Sequence, residues 1–302
     1  MNKLNSNNYN NTGKESIILG ETITKAWKGV FTPPLKDRKS KLRNTGITML
    51  MDKGLSLAET ENILSTGADY IDFIKFGFGT SAFYSSQLLK DKIKLIRDHL
   101  VEPYPGGTFL EVALMQGNLD LYLERARDLG FKYVEVSDGT ISISDEVRTY
   151  TIGRAIEFGF HVISEVGKKN PQDKLTRNKI VKQIEQDLEN GAKYVILEGR
   201  ESGKGVGIYN QKGDIDEKSM EDIVEGFDKL DKLIWEAPHK SQQLALIERF
   251  GVNVSLGNIP PGEVLALEAL RVGLRGDTLR HVIHSTDNEY SWKLPDQVVS
   301  NK

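Results

Sequence analysis

Residues 133–139 read Tyr133-Val134-Glu135-Val136-Ser137-Asp138-Gly139, and residues 161–169 read His161-Val162-Ile163-Ser164-Glu165-Val166-Gly167-Lys168-Lys169. Each begins as an apolar run too short for a helix and rich in β-branched residues, and each carries one acid where strands rarely tolerate one. Between them, residues 145–158 have the three-and-four spacing of an amphipathic helix, closed by Gly159. Strand, helix and second strand make a βαβ unit, in which the two strands run parallel.

Working outward, the same alternation recurs. Candidate strands fall at 46–52, 70–76, 107–113, 133–137, 161–166, 194–198, 233–236 and 252–256. Candidate helices fall at 56–65, 81–98, 119–129, 145–158, 175–190, 219–230, 241–250 and 261–273. Eight strand-then-helix units in about 230 residues predict an α/β protein of the (β/α)8 TIM-barrel class. An open doubly wound sheet is the competing arrangement, but no composition break or proline-rich linker divides the chain. The expected organisation is an N-terminal extension over 1–40, a barrel over 41–285 and a tail over 286–302. Residues 1–13 are rich in asparagine and read as a frayed, partly disordered end.

Composition narrows the chemistry. The absence of cysteine removes disulfides, thiolate zinc sites, iron–sulfur clusters and a cysteine nucleophile. Forty basic against 43 acidic side chains, a net charge of -3, offer no uniform positive field for nucleic acid and no polybasic patch for a membrane. No apolar run approaches a membrane span and no signal-peptide core follows the N-terminal lysine, so a cytoplasmic location is expected.

In a barrel the strand C-terminal ends and the loops after them face the active site. Five successive candidate strands each carry a glutamate there: Glu111, Glu135, Glu165, Glu198 and Glu236. Buried acids in register need compensating charge, and cations occupy the same rim: Lys53, Lys75, Lys168, Lys169, Arg200 and Lys204. Oxygen donors without cysteine suit Mg2+ or Mn2+, so the pattern predicts a divalent ion, expected to be Mg2+, within a ring of cations around a small anionic substrate. Glu165, Glu198 and Glu236 are the first choice of oxygen donors. A purely structural Glu/Lys lattice is the competing explanation.

The glycine loops are weighed in the same way. Phe76-Gly77-Phe78-Gly79-Thr80-Ser81-Ala82 fits a dinucleotide fingerprint poorly and reads better as an oxyanion-holding turn using Thr80 and Ser81, or as a simple cap. The loop from Gly199 to Gly207 is one residue short of a P-loop, yet Arg200 and Lys204 on flexible backbone suit a phosphate or sulfonate. The five histidines share no pattern, and no Gly-x-Ser-x-Gly elbow appears. A Schiff base at Lys75 or Lys168 stays open, although neighbouring carboxylates favour the ammonium over the free amine.

Seven ordered motifs, 69–81, 104–108, 135–139, 164–169, 198–205, 236–238 and 274–278, together resemble phosphosulfolactate synthase. The resemblance implies a (β/α)8 barrel that adds sulfite to phosphoenolpyruvate with Mg2+, giving phosphosulfolactate, an intermediate toward coenzyme M in methanogens and toward sulfolactate in some bacteria. The acid that protonates the enediolate is expected to be Lys169 or, failing that, Lys168, and the resemblance points to the second of the pair. Asn258, ending Asn253-Val254-Ser255-Leu256-Gly257-Asn258, is taken as a substrate contact, although that run departs from the family's Asn-Leu-Ala-Asn pattern. The extension of about 40 residues is a second departure and bears on the oligomer surface, a homo-oligomer being expected. The rival readings are a non-catalytic heat-stress-type barrel, against which the intact lysines and Gly199–Gly205 loop argue, and a Schiff-base aldolase of small phosphorylated substrates.

Overall fold

A computed structural model describes residues 25–170, 172 and 175–285. The chain divides into two compact units, Met1–Pro33 and Pro34–Lys302. In the first, Lys28 and Phe31 form an isolated bridge. The expected frayed end at 1–13 and the tail at 286–302 lie outside the described residues.

The second unit is a (β/α)8 barrel. Its strands are β1 (Thr48–Asp52), β2 (Phe73–Phe76), β3 (Glu102–Pro105), β4 (Tyr133–Val136), β5 (His161–Val166), β6 (Tyr194–Leu197), β7 (Leu233–Glu236) and β8 (Leu256–Ile259). Its helices are α1 (Leu57–Gly67), α2 (Ser86–Asp98), α3 (Gly107–Met115), α4 (Leu119–Leu129), α5 (Asp145–Glu157), α6 (Arg177–Glu189), α7 (Glu217–Val224), α8 (Lys240–Phe250), α9 (Val264–Arg271) and α10 (Gly276–Ser285). Local chemistry sets the helix ends. Ser56 and Glu59 make a reciprocal capping box on α1, the Ser85, Ser144 and Asp216 side chains cap α2, α5 and α7, and Gly130 closes α4 in the left-handed conformation.

All ladders are parallel, in the order β3-β2-β1-β8-β7-β6-β5-β4. β3 and β4 adjoin and bring the sheet round into a barrel, but no ladder joins them. The reason lies in Glu102-Pro103-Tyr104-Pro105. The amides of Glu102 and Gly106 point to β2, donating to Asp72 O and Phe76 O. The alternate amides would face β4, and those positions are Pro103 and Pro105, which have no N–H to donate.

Two expected strands are corrected. Residues 107–113 form helix α3, and the third strand is the Pro-containing stretch before it. Residues 252–256 were expected as the eighth strand, yet β8 begins at Leu256. The carbonyls of Val252 and Val254 are both taken, at 2.7 Å, by the buried guanidinium of Arg271 instead of by a neighbouring strand.

Inside the barrel, Ile47, Met49, Phe73, Tyr104, Tyr133, Ile163, Tyr194, Ile196 and Ile234 form one apolar plug. Phe73 sits at its centre, edge-on to Tyr104, Tyr133 and Tyr194. Side chains alternate along a strand, so residues two positions past a plug member return to the interior one layer higher. Phe73 thus leads to Lys75, Tyr133 to Glu135, Ile163 to Glu165, Ile196 to Glu198 and Ile234 to Glu236. The plug forms the dry floor on which a charged layer rests.

Candidate active site

Lys75 stands at the centre of that layer. Its Nζ is 2.9 Å from Glu165 Oε2, 3.0 Å from Glu135 Oε2 and 3.4 Å from Glu236 Oε1, and all four side chains are buried. Backbone amides satisfy the outer oxygens. Gly107, opening α3, donates to Glu135 Oε1 at 2.7 Å, Gly199 donates to Glu236 Oε2 at 2.9 Å, and Arg200 donates to Glu198 Oε1 at 2.6 Å. Burial opposes charge on Lys75, but Glu135, Glu165 and Glu236 outweigh it and hold the ammonium well above its ordinary range. This charge state does not suit a Schiff base.

The carboxyls differ among themselves. Burial is the largest influence on Glu135, Glu165 and Glu198. It lifts Glu135 to about 7 despite Lys75, and with Glu165 and Glu236 it lifts Glu198 well above the usual carboxylate range. For Glu165 the cations Lys75 and Lys169 overcome burial and hold it below that range. Between its ordinary 4.5 and about 7, Glu135 binds more proton in the folded than in the unfolded chain. Its contribution to stability is therefore complete below about 4.5 and is lost as pH rises through 7, with a slope of at most about 1.4 kcal/mol per pH unit. Urea unfolding should show wild type losing more stability between pH 5.5 and 7.5 than Glu135→Gln does; equal losses in the two proteins would contradict the assignment.

Above this layer opens a cavity of about 290 Å3. Lys169 crosses its wall, with Nζ 3.1 Å from Thr108 Oγ1, 3.3 Å from Glu165 Oε1 and 3.8 Å from Glu198 Oε2. Burial works against the Lys169 charge, but Glu165 and Glu198 prevail and raise its pKa. Close backbone approach shapes the neighbouring loop: a Cβ on Gly207 would lie 2.1 Å from Glu198 O, so only glycine fits there. Arg200 and Asn258 both line the cavity with left-handed backbone, at φ 60° and 56°, a conformation uncommon outside glycine and concentrated at functional sites.

The sequence model of the family described as (2R)-phospho-3-sulfolactate synthase (ComA) matches residues 36–277. The chain belongs to this family. Phosphosulfolactate synthase of Methanothermobacter thermautotrophicus is 44% identical over 254 residues, covering 83% of this chain and 97% of that one. Phosphosulfolactate synthase of Bacillus subtilis is 36% identical over 250 residues, covering 82% and 98%. Among solved structures, 3-hexulose-6-phosphate synthase from Salmonella typhimurium has a TM-score of 0.50 at 14% identity, covering 76% of this chain and 100% of that one, a likeness of fold alone.

In this member of the phosphosulfolactate synthase family the expected site residues divide. Lys75, Glu135, Glu165, Lys169, Glu198, Arg200, Glu236 and Asn258 meet around one cavity. Glu111 does not: α3 carries it behind the wall, where it accepts from Ser137 Oγ and from the amides of Thr140 and Ile141. Lys168 turns to Asp138, outside the cavity. Lys53 pairs with Glu201 at 2.8 Å, with both side chains about half exposed, and Lys204 is exposed away from the lining. Thr80 and Ser81 are not at the start of α2, which Ser85 caps. Thr80 donates to Gly77 O, and Ser81 faces a separate apolar groove beside α3 and α4. Sequence reading missed Thr108 and the α3 N-terminus. The Pro105-Gly106-Gly107 break followed by Thr108-Phe109-Leu110-Glu111 was the available signal of a helix start.

The donor set bears on the expected metal. Among the described residues no three His, Asp or Glu side chains converge as a metal cage, and Glu135, Glu165 and Glu236 each have one oxygen engaged by Lys75. Asn258 Oδ1, however, is buried at the cavity without a hydrogen-bond partner, and Glu165 Oε1 and Glu198 Oε2 are buried there as ion-pair partners of Lys169, at 3.3 Å and 3.8 Å. One or two carboxylates plus water and substrate oxygens are what Mg2+ takes, so these residues fit it.

Proposed function

We propose that the chain joins sulfite to phosphoenolpyruvate to give (2R)-phospho-3-sulfolactate, with Lys169 as the proton donor. Family membership supports the activity. The observation that carries the assignment of roles is the convergence of the Lys169 ammonium with the Glu165 and Glu198 oxygens at the mouth of a charged barrel end. The sulfur lone pair attacks the methylene carbon, and the carbon–carbon π pair moves toward the substrate carboxylate as an enediolate. A proton from Lys169 Nζ then reaches the phosphate-bearing carbon, while the phosphate ester stays intact. The neutral amine regains its proton from solvent.

Lys169 is suited to this role because its neighbours keep it charged until a stronger base forms beside it. Arg200, exposed at the mouth, offers a planar fork to a phosphate or sulfite oxygen pair. Thr108 Oγ1 and the buried Lys75 fix the positions of Lys169 and of Glu165. Mg2+, held through Glu165, Glu198 and Asn258, would supply Lewis-acid stabilisation of the developing enediolate charge.

Purified protein given phosphoenolpyruvate, sulfite and Mg2+ should consume the enol absorbance and form the sulfonate without releasing phosphate. Chelation should stop turnover, and Glu165→Gln or Glu198→Gln should raise the Mg2+ concentration needed for half activity at least tenfold. Full turnover after exhaustive chelation would remove the metal, and no sulfonate product would remove the reaction. Borohydride inactivation in the presence of a carbonyl substrate would instead favour a Schiff-base aldolase.

A further inference from the structure

The two consecutive lysines after β5 diverge. Lys168 Nζ is 2.6 Å from Asp138 Oδ2, 2.7 Å from Asp138 O and 3.3 Å from Ile141 O, and its side chain is 13% exposed. The second oxygen of Asp138 accepts from Arg148 Nη1 at 3.0 Å. Arg148 is itself buried, bonded to both oxygens of Asp187 and, at 2.9 Å, to the Glu165 carbonyl. The loop after β4 is thus tied to β5 on both sides of Asp138. Lys169 rests on the same loop. Its amide donates to Gly139 O at 3.0 Å, and a Cβ built on Gly139 would come within 3.2 Å of its Cε and 3.3 Å of its Cγ and Nζ.

We propose that Lys168 and Asp138 form a positioning clamp that lays Lys169 across Gly139 and aims its ammonium into the cavity. Lys168 is then a positioning residue rather than a second proton donor. Three oxygen acceptors hold its charge outside the lining, and the loop it anchors is the surface against which Lys169 lies. Side chains that deliver a proton must be held to within a few tenths of an ångström by such supporting contacts, since small misplacements lower the rate steeply. The inference rests on Lys169 being the proton donor.

Lys168→Met and Asp138→Asn are each expected to lower kcat about tenfold with KM within about twofold, and Lys168→Arg to retain most of the rate. In a Lys169→Met background the same changes should cost nothing further, because the clamp then has no proton donor to aim. A merely structural ion pair would instead give losses that multiply in that background, and this result, a rise in KM alone, or full activity of both single variants would overturn the clamp. If Lys168→Met does not fold, as judged by thermal melting, Gly139→Ala perturbs the lysine from the other side and should show the same kcat loss and the same silence beside Lys169→Met; a multiplying loss again overturns the proposal. The two assignments separate cleanly. Lys169→Met at full activity refutes the proton donor, whereas an inactive Lys169→Met beside a fully active Lys168→Met refutes only the clamp.

Discussion

Lys169→Met should lower kcat by roughly 10² to 10⁴ with a much smaller change in KM, the range typical of losing a positioned general acid. Methionine keeps most of the stem that lies along Gly139, so the cavity wall stays in place and only the proton and charge are removed. Glu165 and Glu198 lose a cationic neighbour, but Lys75 still holds Glu165 at 2.9 Å. The loss should therefore appear in turnover more than in folding. Steady-state kinetics at saturating phosphoenolpyruvate and sulfite decide the matter. A kcat near wild type with KM alone raised would make Lys169 an electrostatic contact and move the proton source elsewhere.

Lys75→Met should be strongly destabilising. It leaves Glu135, Glu165 and Glu236 facing one another in a layer closed below by Phe73, Tyr104 and Tyr133. Removing one partner of a buried ionic group costs about 3–5 kcal/mol, because the remaining charges are left unpaired. For a domain of this size that corresponds to a fall in Tm of roughly 10 °C. The pH dependence has a definite sign. Without the ammonium, burial is left to oppose charge on Glu135 and Glu165, so the folded form binds extra protons and the variant regains stability as pH falls from 8 toward 5.5. Thermal melts across that range test it. An unchanged Tm, or a variant more stable at pH 8 than at 5.5, would mean that the carboxylates are neutralised by something other than Lys75.

The periodicity of single strands and helices was legible in the sequence, because each depends on neighbours two to four residues away. The segments 133–137, 161–166 and 233–236 coincide with or enclose β4, β5 and β7, and the alternation that sets Glu135, Glu165 and Glu236 above Tyr133, Ile163 and Ile234 follows from strand geometry alone. The glutamates and lysines of the rim could therefore be named, and the ordered motifs resembled the right family. Long-range contacts decided the rest. Residues 107–113 have a strand-like run of apolar side chains, but the strand that pairs with β2 is the Pro103–Pro105 stretch before them, and the Gly107 amide then opens a helix against Glu135. Glu111, read as a rim acid, went with that helix to the far side of the wall. Lys168 and Lys169 are identical in type and adjacent in sequence, and only Asp138, 30 residues before Lys168, separates their roles by engaging one of them. Residue type and spacing determined which charges this protein would gather at the mouth of its barrel; which of them face the cavity, and which only hold another in place, was decided by partners that the chain meets after folding, since burial and pairing are properties of the closed barrel rather than of any one strand.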